Sequence, residues 1–488
     1  MAKIYLSFFQ AWALLCLAHT ANAGMPKRTD VVIIGAGLAG MATALELKKS
    51  KISYHILELT PRVGGRVRTV RYERPGEPTL FADSGMEEYW ESNPAVKLIR
   101  DLKLPFRADV AVSSMVIEKS FVPLAATTED YLRRTFSQTE RQALDQFKTQ
   151  ITPQVELLKK AAEKGEPIPS QMMKLKDVSF GNWVRDQKLP KKVTEWIRIS
   201  IECEVGTPWD RFSALDGMSE FHIFLGGPQG QGEMSYRVIG GNEKLTDAMA
   251  RSIGLSQISL NQRVTRLVTR GNEVEVHSLD QATHQSSVIR ASQVVSTIPL
   301  FRLFEVQFEP KLSDKKRQAI ATQSWGSYFK AHVFVPQSAS RYWKQDSQST
   351  LPILSDSQLG VIYDGNPDAN QNSPTKILSL LISGDHAEAF NLMPLDEVRS
   401  MIRSGFDQLW PGFSREIQGI EFYRFHPRAI ANWPVGRSRF DELSQEIRKP
   451  ENRIHFAGDF TENTHSSGAF ISASRVAGQI LKELGKLK

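Results

Sequence analysis

The sequence predicts an α/β protein of two interleaved domains, one built on a parallel sheet and one of α+β type carrying a helical insertion. Three observations predict it. A strand, a glycine turn, a helix and a second strand follow one another near the start. A strand, a Gly-acid turn and an apolar-faced helix recur near the end. Between them the pattern changes to polar helix and then back to strand. The 488 residues also exceed what one hydrophobic core usually supports.

Asp30-Val-Val-Ile-Ile34 is a short apolar run of the kind buried in a parallel sheet. Gly35-Ala-Gly37-Leu-Ala-Gly40 follows, then a helical pattern to about Lys49 and a strand over 53–57 that ends at Glu58. This order is a β-α-β unit. Thr128 is placed to cap a polar helical stretch running through Lys164, with Gly165 and Pro167 ending it. Residues 180–186 and 192–203 extend the helical insertion. Strand signals return at 236–239, and alternation marks 256–268, 273–278 and 293–297. Residues 327–383 mix strands with Pro- and Asn-rich loops, and the polar segment 337–350 reads as an exposed loop. Finally 453–457 reads as a strand, Gly458-Asp459 as a turn and 468–484 as a helix. In that helix Ala469, Ala473, Val476, Ala477, Ile480, Leu481 and Leu484 share one face.

The first glycine turn carries the strongest chemical signal. Gly35 permits the tight turn, Gly37 lets the backbone approach a pyrophosphate, and Gly40 lets the helix pack against the sheet. The helix start offers N–H groups and partial positive charge to phosphates. Glu58, at the end of the next strand, is spaced to accept hydrogen bonds from ribose hydroxyls. Gly64-Gly65-Arg66 places a guanidinium near the same pyrophosphate. At the far end, the small residues Gly468 and Ala469 leave room for a planar ring, and the helix start there favours negative charge on it. These features favour FAD over NAD.

Together these segments resemble the flavin amine oxidase superfamily, over nearly the whole chain after the leader. The resemblance rests on VVIIGAGLAG with Glu58, on Gly64-Gly65-Arg66, on ADSGMEEYW at 82–90 and on YRVIGGNEKLTDAMA at 236–250. It continues through VVSTIP at 294–299, GSYFKAHVF at 326–334, and FAGD with SSGAFISASRVAG near the end. It implies a Rossmann-like, glutathione-reductase-like FAD-binding domain made of residues 28–90, 236–300 and 426–488. It implies a substrate domain made of a helical part, 91–235, and a mixed-sheet part, 301–425. By the same resemblance FAD is bound noncovalently, Val264 contacts its adenosine part through the backbone, and Asp459 faces the ribityl-pyrophosphate.

The implied reaction moves hydride from a C–H next to nitrogen to flavin N5, with O2 or another acceptor taking the electrons. Lys330 matches the lysine that holds a water near N5 in many members; otherwise it is an ordinary strand lysine. Where members flank the flavin with two aromatic rings, this chain has His465 three residues before Gly468. His465 reads as a base, a substrate contact or a hydrogen-bonded loop residue. Trp433 is the candidate for the other wall, or a packed core tryptophan. Arg428 is a candidate for a substrate carboxylate, or a surface arginine. No cysteine lies between Glu421 and Gly468, so the thioether to flavin seen in some members cannot form there. The stretch 427–436 also resembles protoporphyrinogen-oxidase-like members, which keeps open a dehydrogenase or desaturase of a porphyrinogen or isoprenoid substrate. A flavin-binding protein without turnover is a third alternative.

Composition excludes other classes. The formal net charge is +7, but Lys and Arg are scattered, which argues against a nucleic-acid surface and leaves room for weak attraction to anionic membranes. The ten histidines show no metal-ligand spacing. Lys3, an apolar run over 4–18 and Ala21-Asn22-Ala23 read as a cleaved export signal over residues 1–23, implying a periplasmic or secreted protein. With that leader removed, Cys203 is the remaining cysteine and no intrachain disulfide forms. The expected partners are a small amine or amino acid and an electron acceptor, with the chain as monomer or homodimer.

Overall fold

The structure is a computed structural model that describes residues 25–486, apart from 111–112, 126–127, 222–233, 366, 369–372 and 425. The export signal expected over 1–23 lies outside the described residues.

Five parallel strands form the heart of the first sheet. Their order is Ile258–Ser259, Tyr54–Leu57, Arg28–Ile34, Ser286–Ser296 and Ile454–Phe456. Segments far apart in the chain therefore lie side by side, and the order reverses between Arg28–Ile34 and Ser286–Ser296. An antiparallel extension, Glu273–Asp280 and Gln262–Arg270, continues to Gln307–Glu309. That last strand belongs to this sheet although it lies beyond the boundary expected at residue 300.

Burial on both faces explains the apolar run in the first strand. Val31 and Ile33 pack under the helices Leu38–Lys49, Glu243–Ile253 and Ser466–Glu483. Val32 and Ile34 face the opposite layer, with Leu300, Ile320 and Ile447.

The second large sheet has seven strands in the order Gly419–Tyr423, Tyr328–Pro336, Thr375–Ser383, Val361–Asp364, Ile353–Leu354, Ser114–Ile117 and Ser120–Val122. Period-two alternation divides the strand Tyr328–Pro336. Phe329, Ala331 and Val333 pack beneath the helices Gly384–Leu392 and Leu395–Leu409. Tyr328, Lys330 and His332 face the other way.

Three expectations need correction. The helical stretch 128–164 is two helices, Thr128–Thr135 and Gln138–Lys164. Ser137 starts the second with a reciprocal capping box to Glu140, which favours a new helix start over continuation. The closing helix begins at Ser466, not Gly468, with His465 at its N-cap. The segment 337–350 is not wholly exposed: Ala339, Trp343 and Thr350 are buried, the tryptophan against Trp410 and Phe413.

Candidate active site

The C-terminal ends of four parallel strands open on one cavity of about 1520 Å³, where Ile34, Leu57, Thr297 and Gly458 line the wall. This is the point where strand order reverses, the crevice in which open α/β sheets bind ligands. Its size exceeds the roughly 300–1,000 Å³ of a pocket for one small molecule. Residues of the second sheet, including Tyr328, Lys330, Tyr363 and Leu381, close the other side.

The three glycines of the first turn have separate physical reasons. Gly35 has φ +105°, and a Cβ there would lie 2.3 Å from Thr297 Oγ1. A Cβ on Gly40 would lie 2.0 Å from the Gly35 carbonyl oxygen, so this glycine serves helix packing. Gly37 is different: a Cβ there would meet no protein atom within 4 Å. It lines the cavity at the N-cap of the helix Leu38–Lys49, which has no side-chain cap. Its missing side chain leaves space for a ligand rather than for the protein.

Glu58 also lines the cavity. It accepts from the Ala36 N–H at 2.7 Å, the Thr60 N–H at 2.9 Å and the Thr60 hydroxyl at 2.7 Å. A carboxylate has about four acceptor positions, so capacity for a ribose hydroxyl remains. The second glycine turn lies against the first: Gly64 N–H donates to Ala36 O at 2.8 Å, and a Gly65 Cβ would lie 3.3 Å from Gly37 Cα. Arg66 forks onto Asp459 at 2.8 and 2.5 Å and also donates to Ala429 O at 2.5 Å. Both members line the cavity, so one ion pair joins the chain's two distant glycine turns. Val264, Gly458 and Ala469 line it as well. Gly468 does not: a Cβ there would meet Asn463 Oδ1 at 2.4 Å, so its smallness serves the loop before the helix, not a ring.

Among the lining residues from the second sheet, Lys330 is fully buried and ion-paired with Glu87. Ser379 donates to the same carboxylate oxygen at 2.5 Å. Burial would raise the Glu87 carboxyl, but Lys330 and Arg237 hold it below the ordinary range. Arg237 donates to Asp364 O at 3.0 Å and lies over the Tyr363 ring.

His465 lines the cavity between two carboxylates, with Nε2 2.5 Å from Glu220 and Nδ1 3.3 Å from Glu204. Burial alone would depress the imidazole, but the Glu220 charge and hydrogen bond outweigh it and push it up to about 9. The same contact takes Glu220 down to about 2 against its own burial. The Glu220 contact favours the charged imidazole, so the geometry supports the reading of His465 as a hydrogen-bonded residue of the cavity wall.

Trp433 is not a cavity wall. It is buried, donates from Nε1 to Ser444 Oγ at 3.0 Å and is not among the lining residues. Its bulk belongs to the packing of the short helix Glu442–Arg448. Arg428 lines the cavity, is exposed, and lies over the Phe301 ring at 5.2 Å. Glu87, Glu204, Glu220 and Arg237 were not singled out from the sequence. Paired glutamates after Gly85 were a visible signal for the first; nothing in the spacing marks the others.

A family model described as flavin containing amine oxidoreductase matches residues 38–481. The chain belongs to that family. FAD is its cofactor, and the glycine cradle with Glu58 and the space at Gly37 fit it. Cys203, the one cysteine among the described residues, lines the cavity with its thiol pushed up to about 12 by burial, and the FAD is held noncovalently. The "Putative L-amino-acid oxidase YobN" of Bacillus subtilis is 24% identical over 92% of this chain and 94% of its own length. The flavin-containing amine oxidase B of Canis lupus familiaris is 23% identical over 95% and 88%. Among solved structures, putrescine oxidase bound to putrescine superposes with a TM-score of 0.76, 20% identity and coverage of 93% and 99%. Cyclohexylamine oxidase from Brevibacterium oxydans gives 0.74, 18%, and coverage of 94% and 100%. These structures share the fold of this family member. Neither the family nor these relatives favours the porphyrinogen or isoprenoid alternative.

Proposed function

We propose that this enzyme oxidises an amine lacking a carboxylate, using O2 as acceptor. FAD, when bound, would supply the redox chemistry: acceptance of hydride from the C–H beside the substrate nitrogen and two-electron reduction of O2 to H2O2. The chain's own groups bind, orient and exclude water. The helix start at Gly37 and Glu58 hold the dinucleotide end. Lys330, buried in the cavity wall against Glu87, would stabilise negative charge that develops during reoxidation.

One observation carries the reading: a single cavity joins the FAD cradle to the buried Lys330–Glu87 pair. An amine without a carboxylate is favoured because, among the described residues, the buried cationic groups Lys330, Arg237 and His465 of the cavity wall already have partners. Arg237 is committed to Asp364 O and faces Glu87 and Glu88. A second reading, an amino acid with its carboxylate on Arg428, has only that exposed arginine in its favour.

Anaerobic mixing with a panel of amines, amino acids and porphyrinogens tests this. The flavin absorbance should bleach with an amine and return with peroxide when O2 is admitted. Bleaching by amino acids alone would support Arg428 recognition, and silence from every amine would overturn the proposal. We also propose export through the N-terminal segment. Mass spectrometry of the protein recovered from the native host should find a chain starting near Gly24; a full-length cytosolic chain would contradict this.

A further inference from the structure

The lysine strand Tyr328–Pro336, the neighbouring strand Thr375–Ser383 and the turn after Leu80–Asp83 bring three polar side chains together, two of them, Lys330 and Glu87, in the cavity wall and Ser379 behind them. Lys330 and Ser379 are fully buried and Glu87 nearly so. Lys330 donates to Glu87 Oε1, and Ser379 donates to the same oxygen at 2.5 Å. We propose that Glu87 is the positioning residue of this site: its carboxylate, fixed by Ser379, anchors the Lys330 amine in the cavity wall. Its kinetic consequence rests on the reading of Lys330 given above; the contact itself does not.

The surrounding groups single out Glu87 among the nearby carboxyls. Asp83 is turned to Thr69 Oγ1 at 2.5 Å and to the Asn242 N–H at 3.2 Å. Burial, and then the Glu87 charge, push it up to about 7. Glu88 is also raised, mainly by burial. Glu87 alone of the three is held low. On the lysine's own strand, His332 is depressed to about 3, by burial first and then by the Lys330 charge. His426 is depressed to about 4, again by burial first, with Lys330 a smaller contributor. Tyr423 lies opposite Lys330 in register, its hydroxyl raised by burial, and Arg237 and Tyr363 complete the shell. A buried amine that loses the carboxylate fixing it loses its anchor and becomes freer to meet a reagent.

Acetylation by acetic anhydride, followed at the Lys330 peptide by mass spectrometry on the FAD-loaded protein, reads the amine directly. Wild type should resist labelling. Glu87→Gln should label about tenfold faster or more near neutral pH. Ser379→Ala and Glu87→Asp, which loosen the contact without removing the carboxylate, should fall between. Labelling of Lys330 in Glu87→Gln at the wild-type rate would overturn the proposal. Where that variant does not retain FAD, the two milder variants decide, and wild-type labelling in both overturns it. Flavin reoxidation in Lys330→Met separates the two readings. A wild-type rate there removes the kinetic role of Lys330, while the labelling result still decides what Glu87 does.

Discussion

The two ends of the cavity are built on opposite principles. The dinucleotide end is made mostly of backbone: glycine turns, a helix start and one carboxylate whose three contacts come from within 22 residues of it, with the Arg66–Asp459 pair tying the two turns together. The far end is made of side-chain charge gathered from remote segments. Lys330 meets a partner 243 positions away, and His465 one 245 positions away. A cradle of local backbone geometry imposes residue types at fixed spacing. A charge network needs only that the fold bring opposite charges together, from any positions. The first kind of site is written in residue spacing, and the second only in three-dimensional pairing.

The largest effect that would sharpen this contrast is at the far end. Lys330→Met should slow reoxidation of reduced flavin by about 10²–10³-fold, the scale of removing one preorganised charge, while leaving FAD bound. Stopped-flow mixing of the reduced enzyme with O2 measures it. Next in size, the dinucleotide end predicts a split between two neighbouring glycines. Gly40→Val meets backbone and should destabilise the protein by about 1–3 kcal/mol even without FAD. Gly37→Val points into open space, so it should leave apoprotein unfolding in urea unchanged and weaken FAD affinity. Equal behaviour of the two would break the claim that Gly37 serves the ligand.

A smaller effect depends on pH. The ordinary value for His465 is 6.5 and its folded value about 9. Its stabilisation is thus complete below about 6.5 and lost as pH rises through about 9. Glu220 runs the opposite way, from 4.5 to about 2, so its part is present above about 4.5 and lost as pH falls through about 2. The stability lost in His465→Asn should be on the order of 1–3 kcal/mol near pH 6 and shrink above pH 9. Denaturant midpoints across that range check it. The smallest effect is at Trp433→Phe. It removes the hydrogen bond to Ser444, about 0.5–1.5 kcal/mol, and should leave steady-state amine kinetics unchanged.

The same contrast explains what was legible in the sequence. The strand, the glycines and Glu58 were readable because period, turn and ribose contact all fall within one β-α-β unit. Asp459 and the closing helix were readable for the same reason, although its start moved two residues, since His465 takes the N-cap without capping. The split at Ser137 was hidden because a capping box inside a polar stretch does not interrupt its helical period. Trp433 stayed open between cavity wall and core because an aromatic near the reaction end can face either, and its burial and Ser444 contact put it in the core. Glu220 and Glu204 carried no spacing signal; three-dimensional pairing alone gives them a role.

FAD titration into apoprotein, followed by acid precipitation, tests the central claim most directly. The account predicts uptake of one FAD per chain, full release of intact flavin into the acid supernatant, and weakened uptake by Gly37→Val with unchanged apoprotein stability. A colourless protein that takes up no FAD, or flavin that stays with the precipitate, would contradict it.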